Sequence, residues 1–206
     1  MAASGLLEQL NSEMASVVDD VRLALVQVHS GAGGDGAGTI WHADGLLVTN
    51  AHVVRSESMS VTLPGGRRLA AKVLAMDQEL DLAALSVEGN DLPVVKIGDS
   101  RALRSGQWVM ALGHPWGVHN SASAGVVLGA GPDWPHFQNR RGEWIAVSLP
   151  LRPGNSGGPL VDATGAMVGI NSMMIGPETG LSVPVHTVKA FLKDHLGSKA
   201  AALAAT

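Results

Sequence analysis

The chain has 206 residues, enough for one large domain or two small ones, and its 46% hydrophobic and 16% charged content is that of a globular protein and excludes disorder. A net charge of −4 with the signs scattered leaves no basic stripe for nucleic acid, and the absence of cysteine excludes disulfides, thiol catalysis and zinc–thiolate sites. The 26 glycines, set among short β-branched runs, favour an all-β chain with many tight turns.

No basic front leads into an apolar core at the N-terminus, and no apolar run approaches membrane-spanning length. The sequence as it stands therefore reads as soluble and cytoplasmic; as part of a longer one it would fit a periplasmic or membrane-anchored protein. Residues 4–20 carry Leu6, Leu7, Leu10, Met14, Val17 and Val18 at spacings of three and four, which predicts an amphipathic helix covering either its own domain or a neighbouring subunit. Residues 21–28 read as a strand, and residues 31–38 as a flexible glycine-rich loop. Without a Gly-Lys-Ser/Thr ending, that loop is not a phosphate cradle.

Strands are expected at 38–41, 46–49, 60–63, 68–74 and 82–87, with 89–106 as a polar bridge. A second set is expected at 107–112, 123–128, 144–149, 160–161, 166–170 and 181–183. About six strands on each side of a bridge predict two barrels or a sandwich. Residues 185–196 read as a closing helix with a frayed alanine-rich tail. The domain expectation is a helix over 1–20, a body over 21–184 with halves at 21–90 and 107–184, and a helix and tail over 185–206.

The chemistry centres on Pro153-Gly154-Asn155-Ser156-Gly157-Gly158-Pro159-Leu160. Glycines around a serine allow a tight loop and a close approach of substrate to backbone N–H groups; taken alone, the stretch fits a surface turn equally well. A serine hydroxyl needs a neighbouring base. His52, in Thr49-Asn50-Ala51-His52-Val53-Val54, stands at a strand end, and Asp81 precedes the apolar run Leu82-Ala83-Ala84-Leu85. Alone, His52 reads as structural or exposed and Asp81 as a cap; Asp77 and Glu79 compete with Asp81 but lack a buried strand behind them. The order His, Asp, Ser is that of the chymotrypsin-like arrangement.

Those three motifs resemble the signatures of the HtrA/DegP family of trypsin-like serine proteases. Gly113-His114-Pro115-Trp116-Gly117 resembles the family's Gly-Asn-Pro-Phe-Gly, and Val168-Gly169-Ile170-Asn171 the strand after the nucleophile. The resemblance covers about residues 21–196. It implies two six-stranded antiparallel β-barrels of the chymotrypsin type, with helices at both ends and the active site between the barrels. It also implies a His52/Asp81/Ser156 triad, an oxyanion hole from the Gly154 and Ser156 N–H groups, and no cofactor or metal. Digestive trypsins carry Asp where this chain has Asn155, so activation through that ion pair is not available; loops near 129–143, 150–154 and 172–180 take that role in the resemblance.

By family alignment Pro150 forms the floor of the primary pocket, and Ser172, Met173, Met174 and Gly180 line the substrate site. None is acidic, which predicts small or medium aliphatic residues before the scissile bond. One of the two methionines fits a core position equally well. Expected partners are unfolded or flexible polypeptides, with a trimer built through the N-terminal segment. The family usually continues into a PDZ module, and residues 1–206 as given are expected to hold the protease domain without one. Two further readings are a polypeptide-binding, chaperone-like module with a resting triad, and an esterase-only enzyme. His114, His119 and His136 lack the spacing of a metal site. Trp116, Trp134, Trp144 and Phe137 read as loop packing, within or beside an exposed segment at 131–143.

Overall fold

A computed structural model describes residues 2–31, 35–119, 121–132 and 142–203. Trp134, His136, Phe137 and most of the 131–143 segment lie outside the described residues. Helix α1 (Ala2–Val21) is followed by β1 (Leu25–Ser30), β2 (Asp35–His42), β3 (Leu46–Thr49), β4 (Met59–Thr62), β5 (Arg68–Asp77) and β6 (Leu82–Val87). The second half has β7 (Trp108–Gly113), β8 (Ser121–Gly131), β9 (Trp144–Val147), β10 (Pro159–Asp162), β11 (Met167–Met174) and β12 (Gly180–Pro184), and ends in α2 (Val185–Leu203). The strands close into two antiparallel barrels, in the orders β1-β2-β3-β6-β5-β4 and β10-β11-β12-β9-β8-β7. Two barrels, not a sandwich, is the architecture.

Strand alternation explains the closure. Val26, Val28, Ile40, Leu47, Val61 and Leu85 fill the first barrel, and Val109, Ala111, Ile145, Val147 and Leu160 the second, all fully buried. Helix α2 packs against β5 and β6 of one barrel and β11 and β12 of the other, with Val185, Val188, Phe191 and Leu192 buried on one face. The bridge is tied to that helix where the Ser100 hydroxyl meets His186 Nδ1 at 2.8 Å. None of the described helices is long and apolar enough to cross a membrane.

Two expectations change. Residues 21–28 are not one strand: α1 runs through Val21, Arg22–Ala24 form a 3₁₀ turn, and β1 starts at Leu25. Arg22 pairs with Asp19 at 3.2 Å one helical turn back, a local tie that an apolar run does not announce. The glycine stretch is also less loop-like than expected, because β2 begins at Asp35. Gly36 is a packing position, since a Cβ there would lie 2.7 Å from Val53 Cγ1 and 3.3 Å from the Ser156 carbonyl oxygen.

Helix α1 divides its apolar stripe. Met14, Val17 and Val18 pack on the core, with Val17 and Val21 over Gly165, whereas Leu6, Leu7 and Leu10 are 69%, 62% and 46% exposed.

Candidate active site

His52 stands in a 3₁₀ turn, Ala51–Val53, that follows β3. Asp81 occupies the tight β5–β6 connection with φ +54°, a left-handed conformation that aspartate tolerates better than most side chains. The turn is prepared by Asp77, whose Oδ1 accepts from the backbone N–H groups of Glu79 and Leu80, both at 2.9 Å. Asn50 Nδ2 donates to the Asp81 carbonyl at 2.9 Å. These contacts turn a buried carboxylate, 3% exposed, toward the histidine rather than along its own chain.

His52 Nδ1 lies 2.9 Å from both Asp81 oxygens, and the His52 backbone N–H donates to Oδ1 at 3.1 Å. An ionised carboxylate only accepts, so the pair fixes the tautomer with the proton on Nδ1 and the lone pair on Nε2. Ser172 supplies a further donor, its Oγ reaching Asp81 Oδ2 at 2.5 Å across the junction of the barrels. Ser172 is 3% exposed, so its hydroxyl serves the carboxylate, while the residue also lines the cleft. The family resemblance puts it on the substrate side alone; residues 91 positions apart carry no local sign of such a bond.

Ser156 reaches the same cleft from a loop whose glycines are dictated by contact. At Gly157 a Cβ would lie 2.0 Å from the Ala37 carbonyl oxygen, and at Gly158 one would lie 2.1 Å from that of Leu112. The Ser156 carbonyl accepts from Ala37 N–H at 2.8 Å, which ties the loop to β2 of the first barrel. The Ser156 hydroxyl donates to the Ser172 carbonyl at 3.0 Å. No hydrogen bond joins it to His52, and both side chains line the same cleft.

The loop before the serine is a β-turn of type II chemistry. Pro153 and Gly154 occupy its centre, Gly154 has φ +103°, and Asn155 N–H donates to the Arg152 carbonyl at 2.8 Å. Asn155 is buried, and its side-chain oxygen accepts from Arg152 N–H at 2.9 Å, so the residue itself braces the turn. The Gly154 carbonyl accepts from His114 N–H at 2.9 Å, and the Pro153 carbonyl from Trp116 N–H at 3.1 Å. With those carbonyls turned away, the N–H groups of Gly154 and Ser156 donate to no acceptor among the described residues. Arg152 lies over the Trp116 ring at 5.5 Å.

His114 behind this turn is 6% exposed, and its pKa is lowered to about 4. Burial is the largest cause and repulsion from His119 the next, with a backbone hydrogen bond at Val26 opposing them.

The cleft has a volume of about 610 Å³ and is lined by His52, Ser156, Ser172, Met173 and Met174 on its catalytic and apolar sides. Pro150, expected as its floor, is exposed and does not line it; Leu151 does. Leu149 and Leu151 are buried on either side of the exposed Pro150. Gly180 backs this wall, where a Cβ would lie 2.9 Å from Leu151 Cγ, and Leu151 N–H lies 3.0 Å from Met174 Sδ.

Residues 36–170 match the family described as the trypsin-like peptidase domain. The chain belongs to that family. This trypsin-like peptidase domain is similar to the Synechocystis protein HhoB, named as a serine protease, at 38% identity over 161 residues, 76% of this chain and 39% of HhoB. Human serine protease HTRA4 is 37% identical over 175 residues, covering 83% of this chain and 36% of the relative. Among solved structures, the HtrA-type protease AlgW with a tripeptide superposes with a TM-score of 0.82 at 28% identity, over 91% of this chain and 64% of AlgW. The trypsin-like peptidase domain described here is therefore HtrA-like in sequence and fold, and spans less than half the length of these curated relatives.

Proposed function

We propose that the chain is a serine endopeptidase acting on unfolded or flexible polypeptides. The observation that carries this reading is His52, held by a buried carboxylate, in the cleft that Ser156 also lines, with two unspent N–H groups next to the serine. On rotation of its hydroxyl from the Ser172 carbonyl, Ser156 attacks the peptide carbonyl carbon while His52 Nε2 takes the proton. Asp81 stabilises the imidazolium that results. The oxyanion is met by Gly154 and Ser156 N–H, a contribution of about 3 kcal/mol per donor. His52 then returns the proton to the leaving amine, and water repeats the sequence on the acyl-enzyme.

Leu151, Met173 and Met174 offer the residue before the scissile bond an apolar surface, in keeping with a small or medium aliphatic preference. The exposed Leu6, Leu7 and Leu10 are the proposed contact for a homo-trimer. AlgW was solved with a tripeptide and with a decapeptide, which favours peptides as the ligand class.

A second reading is favoured by the parked Ser156 hydroxyl: a polypeptide-binding module whose triad rests until a ligand orders it. Incubation with a denatured protein separates the two. Fragments from wild type and none from Ser156→Ala are expected; binding without fragments, equal in both, would replace the first reading by the second.

A further inference from the structure

One wall of the cleft carries charge that the reaction does not use. Asp35 lines the cleft with His52, Val53 and Arg55, all from the first barrel's half of the chain, whereas Leu151, Met173 and Met174 come from the second. It opens β2 immediately before Gly36, whose absent Cβ would touch both Val53 and the Ser156 carbonyl. Asp35 is thus fixed by the same backbone that holds the nucleophile loop, through Ala37 N–H and the Ser156 carbonyl.

Its carboxylate is held by Gln27 and His29. Gln27 Nε2 donates to Oδ2 at 3.0 Å, and His29 Nδ1 meets Oδ1 at 2.8 Å. His29 Nε2 in turn meets the Thr62 hydroxyl at 2.9 Å. Gln27 is buried and the His29 side chain 16% exposed, whereas the Asp35 side chain is 51% exposed. No arginine or lysine among the described residues forms an ion pair with it. Of the cations that share the cleft, Arg55 directs its Nε to the His52 carbonyl at 3.2 Å, and Arg152 lies over Trp116.

The direction of the substrate follows from the chemistry. The residue before the scissile bond takes the apolar pocket, and the leaving amine must lie at His52, which protonates it. The chain beyond that amine therefore runs over the wall of Val53, Arg55 and Asp35. We infer that Asp35 forms an anionic subsite that selects a lysine or arginine at one of the first two positions after the scissile bond. This inference rests on the endopeptidase reading.

The test uses peptides with one aliphatic acyl side and varied leaving sides: Ala-Ala, Lys-Ala, Ala-Lys, Glu-Ala and Ala-Glu. Wild type should cleave one of the Lys peptides with a kcat/KM about fivefold above Ala-Ala, the size of one partly exposed ion pair, and the Glu peptides less well. The advantage should shrink in 1 M salt, about a 3 Å screening length. In Asp35→Asn the Lys-to-Ala ratio should fall toward one. Should that variant not fold, the wild-type ranking and its salt dependence decide. Cleavage of Ala-Ala with no Lys advantage, or an unchanged ratio in Asp35→Asn, overturns the subsite alone. No cleavage of any peptide, Ala-Ala included, overturns the endopeptidase reading and the subsite with it.

Discussion

Acid should unfold this domain through His114. Its imidazole is buried, and its pKa is lowered from 6.5 to about 4 by burial and by His119, with His29 adding to the repulsion and Asp35 opposing it. The neutral ring is therefore favoured in the fold, while the unfolded chain protonates near the ordinary value. Between those two pH values the unfolded state binds more protons, so stability rises with pH and is lost as pH falls. The residue contributes nothing at pH 7.5, a loss of about 2 kcal/mol by pH 5, and about 3 kcal/mol by pH 4, at 1.36 kcal/mol per pKa unit. Urea unfolding at a series of pH values, for wild type and His114→Asn, measures it. The wild-type curve should fall away from that of the variant by those amounts between pH 6.5 and pH 4. Parallel curves would refute the assignment of a neutral, buried His114.

Gly154→Ala places a Cβ 2.3 Å from the His114 carbonyl oxygen at a backbone angle that alanine resists, so the turn must move. Its kcat should drop by about 10²–10³, the loss expected for one misplaced oxyanion donor, measured on a peptide substrate. Ser172→Ala removes a donor from the buried Asp81 carboxylate, and should cost about 1–3 kcal/mol in urea unfolding and lower kcat with little change in KM. Asp81→Asn should lower kcat by about 10⁴ by favouring the wrong tautomer of His52, with the fold retained by circular dichroism. The proposed trimer predicts a threefold mass in sedimentation equilibrium that replacing Leu6, Leu7 and Leu10 together by serine should reduce to that of a monomer; an unchanged mass would remove α1 as the contact.

Most of the barrel architecture was legible because its strands are short, β-branched and bounded by turn residues. The runs 46–49 and 82–87 coincide with β3 and β6, whose flanks change composition sharply. Legibility failed where composition is uniform or the deciding contact is distant. Residues 21–28 are apolar except for Arg22 and Gln27, and no glycine or proline among them marks the end of α1. The glycines of 31–38 read as flexibility, yet Gly36 is required by Val53 and Ser156, which are remote in sequence. Pro150 was expected at the cleft from the family pattern alone; Leu149 and Leu151 are buried on either side of it, and of the three only Leu151 lines the cleft. The Ser172 hydroxyl on Asp81 joins two barrels and has no local signature. His52, Asp81 and Ser156 were readable together because each sits in its own short motif and the motifs have a definite order. The rotamer of Ser156 depends on the carbonyl of Ser172 and was outside any sequence pattern.

The central claim is that Ser156 is a nucleophile activated by His52. Reaction of the folded protein with a fluorophosphonate at pH 7.5, followed by peptide mapping, tests it most directly. The account predicts one adduct, on Ser156, absent after denaturation and slowed by orders of magnitude in His52→Ala. No adduct on the folded protein, or an equal rate in His52→Ala, would contradict it.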